Sequence, residues 1–108
     1  MVENWSISMA NVTQYHILFY GTSDGYQDNR AQISLYDGSN VLGYVRFHDP
    51  GMPFPDDSQS GSMIIMHLPS TMFENVLSVL RNEEPINYYF ASGHAFLGTS
   101  TEPVGEEE

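Results

Sequence analysis

At 108 residues, with 41% hydrophobic and 13% aromatic side chains, the chain is sized for one domain with a core that needs no covalent staple. It contains no cysteine, which excludes a disulfide framework, a thiolate zinc site and a cysteine nucleophile. Fourteen carboxylates face only Arg30, Arg46 and Arg81, and the resulting formal charge of −11 excludes the basic footprint by which proteins grip nucleic acid or anionic lipid.

Met1 to Ala10 lacks the basic region and apolar run of a signal peptide, and no segment approaches the ~18 apolar residues of a membrane span. A cytoplasmic protein with no membrane or direct nucleic-acid contact is therefore expected. Trp5, Ile7 and Met9 alternate and predict a first strand. From Thr13 to Tyr20, alternating residues Tyr15, Ile17 and Phe19 oppose His16, Leu18 and Tyr20, which predicts a second strand ending at Gly21. The segment Gly21 to Asn29 is rich in turn formers and reads as a loop.

Ala31, Ile33 and Leu35 alternate against Gln32, Ser34 and Tyr36. The turn former Asp37-Gly38-Ser39-Asn40 follows, and Val41 to His48 resumes the alternation. Those two strands predict a hairpin of open register. Gly43, inside the second strand, predicts a bulge or a close backbone approach. Asp49 to Gly61 holds three of the six prolines and no period, and reads as a long Pro-rich acidic loop. Ser62 to Leu68 is almost continuously apolar and predicts a central strand.

Phe73, Val76, Leu77 and Leu80 fall at i, i+3, i+4 and i+7, predicting an amphipathic helix over about 70–83. Ser70 or Thr71 is placed to cap it, and Thr71 with Glu74 has the spacing of a capping box. Arg81 suits the last turn, and Pro85 stops the helix. Ile86, Tyr88 and Phe90 then alternate up to Ser92-Gly93, a two-residue hairpin turn. That turn predicts the pairs Ala91–His94, Phe90–Ala95, Tyr89–Phe96 and Tyr88–Leu97, with Tyr88, Phe90, Ala95 and Leu97 on one face.

The fold class expected is α+β and mainly antiparallel: about seven strands, five before the helix and two after it. The helix either packs on a sheet or plugs a curled barrel. Residues 1–99 are expected to form one domain, and 100–108 an acidic, flexible tail.

No segment carries a nucleophile elbow, a phosphate loop, a dinucleotide fingerprint or a zinc-protease motif, so the chain does not read as an enzyme and no cofactor is implied. His16, His48, His67 and His94 have no local ligand spacing, so no metal site is expected from them. Three function classes fit the residues. First, Asp49, Met52, Phe54, Asp56 and Asp57 place an apolar knob between carboxylates, which suits an interface with a basic protein partner. Second, Tyr44, His48, His67, Tyr89 and His94 could line a pocket for a small ligand, since tyrosines fall on the face opposite the expected core. A homodimer through a sheet face or edge would cover the same tyrosines. Third, His48 with the loop carboxylates could serve acid–base or metal-dependent chemistry. The first class absorbs the charge of −11 and is the favoured one.

Overall fold

The computed structural model describes residues 10–101 and 103–105. The strand expected at Trp5 to Met9 lies outside them. Eight strands and one α-helix are described: β1 (Ala10–Asn11), β2 (Gln14–Phe19), β3 (Ala31–Asp37), β4 (Asn40–His48), β5 (Ser58–Ser60), β6 (Met63–Pro69), α1 (Phe73–Asn82), β7 (Ile86–Ala91) and β8 (His94–Thr99). They build two open sheets, ordered β2-β3-β4-β6-β5 and β1-β7-β8. The fold is α+β and mainly antiparallel. The curled barrel is not formed, because β2 and β5 end the larger sheet at opposite edges. No described helix is long and apolar enough to cross a membrane.

The two hairpins follow from their turns. Gly38-Ser39 joins β3 to β4, with Asp37 opposite Asn40 and Ala31 opposite Phe47. The register slips by one residue between Leu35 and Tyr36, where Gly43 lies opposite Leu35. Gly43 has φ +152°, and a Cβ there would stand 1.9 Å from the carbonyl oxygen of Ile64 on β6. Both features expected of this glycine, bulge and close approach, are present. In the second hairpin Ser92 and Gly93 both have positive φ, and β7 pairs with β8 in the register the turn predicts.

β4 and β6 pair parallel, with Arg46 opposite His67. Consecutive strands on tight turns must be antiparallel, whereas a long connection lets the chain return in the same direction. The Asp49 to Gly61 segment is that connection, and it is not irregular throughout. Ser58 to Ser60 form β5, which folds back antiparallel on β6 through the turn at Gly61 and Ser62. Three exposed polar residues have no alternation of hydrophobicity to announce a strand; only backbone pairing defines this one.

Ile33 and Leu35 of β3, Val45 and Phe47 of β4, and Ile64 and Met66 of β6 point to one face, which we call the core face. Phe73, Val76 and Leu80 of α1 pack there, as the i, i+3, i+4, i+7 spacing requires. Phe73 lies 4.9 Å from Phe19 and 5.0 Å from Phe47, ring to ring. Ile86, Tyr88 and Ala95 bring the smaller sheet into the same core. At about 1.5–3 kcal/mol per fully buried large apolar side chain, this cluster is the main stabilising term. The capping box does not form. Ser70 to Met72 make a 3₁₀ turn first, which places Thr71 inside helical structure and leaves Met72 at the cap position without a side-chain hydrogen bond.

The opposite face of the larger sheet, the outer face, carries His16, Leu18, Ser34, Tyr44, Arg46, His48, Ile65 and His67 by alternation.

Candidate functional site

β4 and β6 run parallel and share a His-x-Pro pattern: β4 ends at His48, followed by Asp49-Pro50, and β6 ends in His67-Leu68-Pro69. Since Arg46 is opposite His67 and His48 is opposite Pro69, the two histidines are diagonal neighbours on the outer face. Their side chains meet there. His48 Nε2 is 2.8 Å from His67 Nδ1, and the rings are 5.0 Å apart.

His48 is 3% exposed, and its Nδ1 lies 2.6 Å from the backbone carbonyl of Asp28. That carbonyl is delivered by a tight turn at Gln27 and Asp28, both with positive φ. A carbonyl can only accept, so His48 Nδ1 carries a proton. In neutral His48 the Nε2 is then bare and accepts from His67 Nδ1–H, which assigns both tautomers from the hydrogen-bond network. The lone pair at His67 Nε2 is left over. One added proton fits there without breaking a bond. Burial, followed by the neighbouring His48 and Arg46, lowers the His67 pKa below the ordinary imidazole value, against the pull of Asp57 and Asp56.

The loop after β4 lies over this pair. Phe54 packs against His48 in a tilted arrangement, with ring centroids 5.3 Å apart, yet remains 53% exposed. Met52 Sδ accepts the backbone N–H of Asp49 at 3.2 Å. The Asp49 carboxylate takes Arg30 Nε at 2.7 Å, and Arg30 also donates to the carbonyls of Tyr20 and Ser23. Arg30 first, then the Ser70 hydroxyl, hold the Asp49 carboxyl below the usual carboxylate range. At the other end of the loop, Asp57 accepts two backbone N–H groups, that of His67 on β6 at 2.8 Å and that of Ala95 on β8 at 2.9 Å. Its carboxylate joins the two sheets.

Of the residues singled out for a partner surface, Phe54 and Asp56 are exposed. Asp49, Met52 and Asp57 are half-buried and hold the loop through their hydrogen bonds. Of the pocket candidates, Tyr44, His48 and His67 share the outer face, where Arg46 covers the Tyr44 ring at 5.2 Å. Tyr89 and His94 are not brought to them. They gather around Phe96 on the smaller sheet, Tyr89 stacked on it at 5.1 Å and His94 against its edge at 6.4 Å. Among the described residues no three His, Asp or Glu side chains converge as metal ligands. An apolar cleft of about 210 Å³ lies instead between α1, β6 and β8, lined by Met66, Leu68, Met72, Val76, Val79 and Leu97. Arg30, Asp28 and Arg46 belong to the site but are not visible as a motif. The one sequence signal for the histidine pair is the repeated His-x-Pro.

Both lowered pKa values make acid destabilising. A group whose folded pKa lies below its unfolded value contributes stability that is present above the unfolded pKa and lost as pH falls through the folded one. For His67 that loss begins near the ordinary imidazole value of 6.5, and for Asp49 near 3.8. Urea unfolding at descending pH should therefore show a first decline below about 6.5, at most about 1.4 kcal/mol per pH unit and less with His67 half-buried. His67→Gln should remove this first decline and leave the acidic one. If the variant and the wild type decline together, His67 is not its source.

Comparison of the chain with protein-family models, with curated proteins and with solved structures found no match in any of the three.

Proposed function

We propose that this chain is a non-enzymatic interaction protein that presents an acidic surface, centred on the 49–61 loop, to a basic protein partner in the cytoplasm. The observation that carries this reading is Phe54. It is an exposed aromatic side chain on a loop anchored at both ends, by Arg30–Asp49 before it and by Asp57 after it. A preorganised aromatic anchor with a charged rim is the arrangement that binds tightly, because little ordering entropy remains to be lost.

Charge supports the same reading. Arg30 is occupied by Asp49 and two carbonyls, and Arg46 by Gln32 at 2.9 Å and the Tyr44 ring. Two of three cations are thus turned to internal contacts, while Asp24, Asp28, Asp37, Asp56, Glu74 and Glu84 remain exposed. Such a field speeds encounter with a basic surface and weakens with salt. Phe54 makes the apolar contact, Asp56 lies at its rim, and Asp49, Met52 and Asp57 keep the loop in place.

The test is affinity capture from source-cell lysate at low salt, followed by titration of the captured protein. A basic protein at near-equal stoichiometry, released by salt, is the expected result. Phe54→Ala should weaken its binding by about 2 kcal/mol, roughly thirtyfold, and Asp56→Asn should reduce the salt dependence. Unchanged affinity in Phe54→Ala would remove the loop from the interface.

A further inference from the structure

The sheet edges of this fold are unequally protected. An edge strand exposes unpaired N–H and C=O groups, and proteins guard it by shortness, charge or cover. β5 is three residues long and follows Asp56 and Asp57. β8 has its free Ala95 N–H taken by the Asp57 carboxylate. The described part of β1 is two residues. β2 has none of these protections. It is six residues long, it ends the larger sheet, and no other described strand lies beside its outer edge. It holds no proline and no bulge, and in this chain of −11 there is no Asp, Glu, Lys or Arg between Glu3 and Asp24. At this edge Leu18 is 42% exposed and Phe19 66% exposed.

We propose that β2 is the homodimer interface: a second copy of this chain adds its own β2 antiparallel across a two-fold axis, joining two five-stranded sheets into one of ten strands. The charge pattern selects this occupant. Two strongly acidic chains repel wherever carboxylates face one another, and the β2 edge is where two copies meet with none in the strand. The strand itself offers a basic partner no carboxylate, whereas the acidic loop sets the exposed Asp56 beside Phe54.

Geometry fixes the register. A two-fold axis normal to the sheet keeps core-face residues opposite core-face residues, so the sum of paired numbers must be even. With His16 on the axis, Gln14 faces Leu18 of the second copy, and Phe19 runs past the end of the pairing. With Ile17 on the axis, Tyr15 faces Phe19 of the second copy on the core face, and His16 faces Leu18 on the outer face. The second register covers both exposed apolar side chains, and it is the one we assign. Each dimer then carries two Phe19–Tyr15 and two Leu18–His16 cross-strand pairs.

Sedimentation equilibrium of the full chain over a wide concentration range tests the proposal. The expected result is a monomer–dimer equilibrium that tightens by about threefold or more from low to high salt, because salt screens the repulsion between the copies. Salt acts oppositely on the basic-partner contact, so failure of one reading is distinguishable from failure of the other. Leu18→Glu is exposed on the outer face and sets carboxylates into the interface; it should weaken the dimer at least about tenfold while leaving the circular dichroism spectrum unchanged. Independently of any variant, amide exchange at Tyr15 to Phe19 should slow as concentration rises. A monomer throughout, a dimer indifferent to Leu18→Glu, or exchange in β2 that ignores concentration would each overturn the proposal.

Discussion

Gly43→Ala should unfold the protein at a temperature well below that of the wild type. Two penalties coincide at this position. With φ +152° the backbone occupies a region that residues with a Cβ rarely adopt, a strain of about 1–3 kcal/mol. The added methyl would also lie 1.9 Å from Ile64 O, 2.8 Å from Ile64 C and 2.8 Å from Ile64 N. All three atoms are backbone, so no side chain can swing aside. Overpacking of this kind costs about another 1–3 kcal/mol when the structure yields.

What must yield is the parallel seam between β4 and β6, because Gly43 opposite Ile64 begins that pairing. The same seam receives the buried Tyr88 hydroxyl, which donates to the carbonyl of Tyr44 at 2.7 Å and is 3.4 Å from that of Ile64. Burial raises the Tyr88 pKa far above the ordinary phenol value, so the group remains a donor. A shift at Gly43 thus strains the contact between the two sheets as well. A loss of about 3 kcal/mol or more, which for a domain of this size lowers Tm by roughly 12 °C or more, is expected in thermal unfolding. A loss below about 1 kcal/mol would mean that β4 and β6 do not pair in this register.

This glycine marks what could be read in advance. A glycine within an alternating strand signals a bulge or a close approach without naming its neighbour. The β7–β8 register was legible, because Ser92-Gly93 permits one tight turn and a tight turn fixes every pair beyond it; the pairing of β7 with β1 was not. The helix was legible from its apolar face, but its start was not: a capping-box spacing is local, whereas the 3₁₀ turn at Ser70 to Met72 depends on where β6 ends. The parallel pairing was hidden for a related reason. A connection as long as 49–61 allows either direction, and the choice is made by packing rather than by any turn residue.

The candidate site inherits that limit. His48 and His67 are nineteen residues apart and meet only because β4 and β6 are parallel in one particular register. Antiparallel pairing would have separated them. Arg30 and Asp49, likewise nineteen apart, meet because β3 starts where β4 ends. The acidity of the loop was plain, but the division of its carboxylates into those that face solvent and those that bind the fold was not.

Asp57 is the clearest case of that division, and Asp57→Ala should be the most damaging change in the loop. Its two oxygens accept from N–H groups on different sheets, His67 on β6 and Ala95 on β8. Hydrogen bonds to an ionised acceptor contribute about 1.5–3 kcal/mol each, and partial exposure places these at the lower end. Removing both oxygens should cost about 3–4 kcal/mol. Asp57→Asn should cost somewhat less, since one amide oxygen still accepts while the NH₂ group must face the other donor. Hydrogen exchange separates this account from simple loss of surface charge. The amides of His67 and Ala95 should lose protection in both variants, whereas Asp56→Asn, one residue earlier and exposed, should leave both amides protected. Equal protection in all three would mean that the sheets are joined by their apolar contacts alone. The same comparison isolates the anchor of Phe54: loosening Asp57 releases the end of the loop that carries the ring, so partner affinity should fall in Asp57→Ala even though residues 52–55 are unchanged.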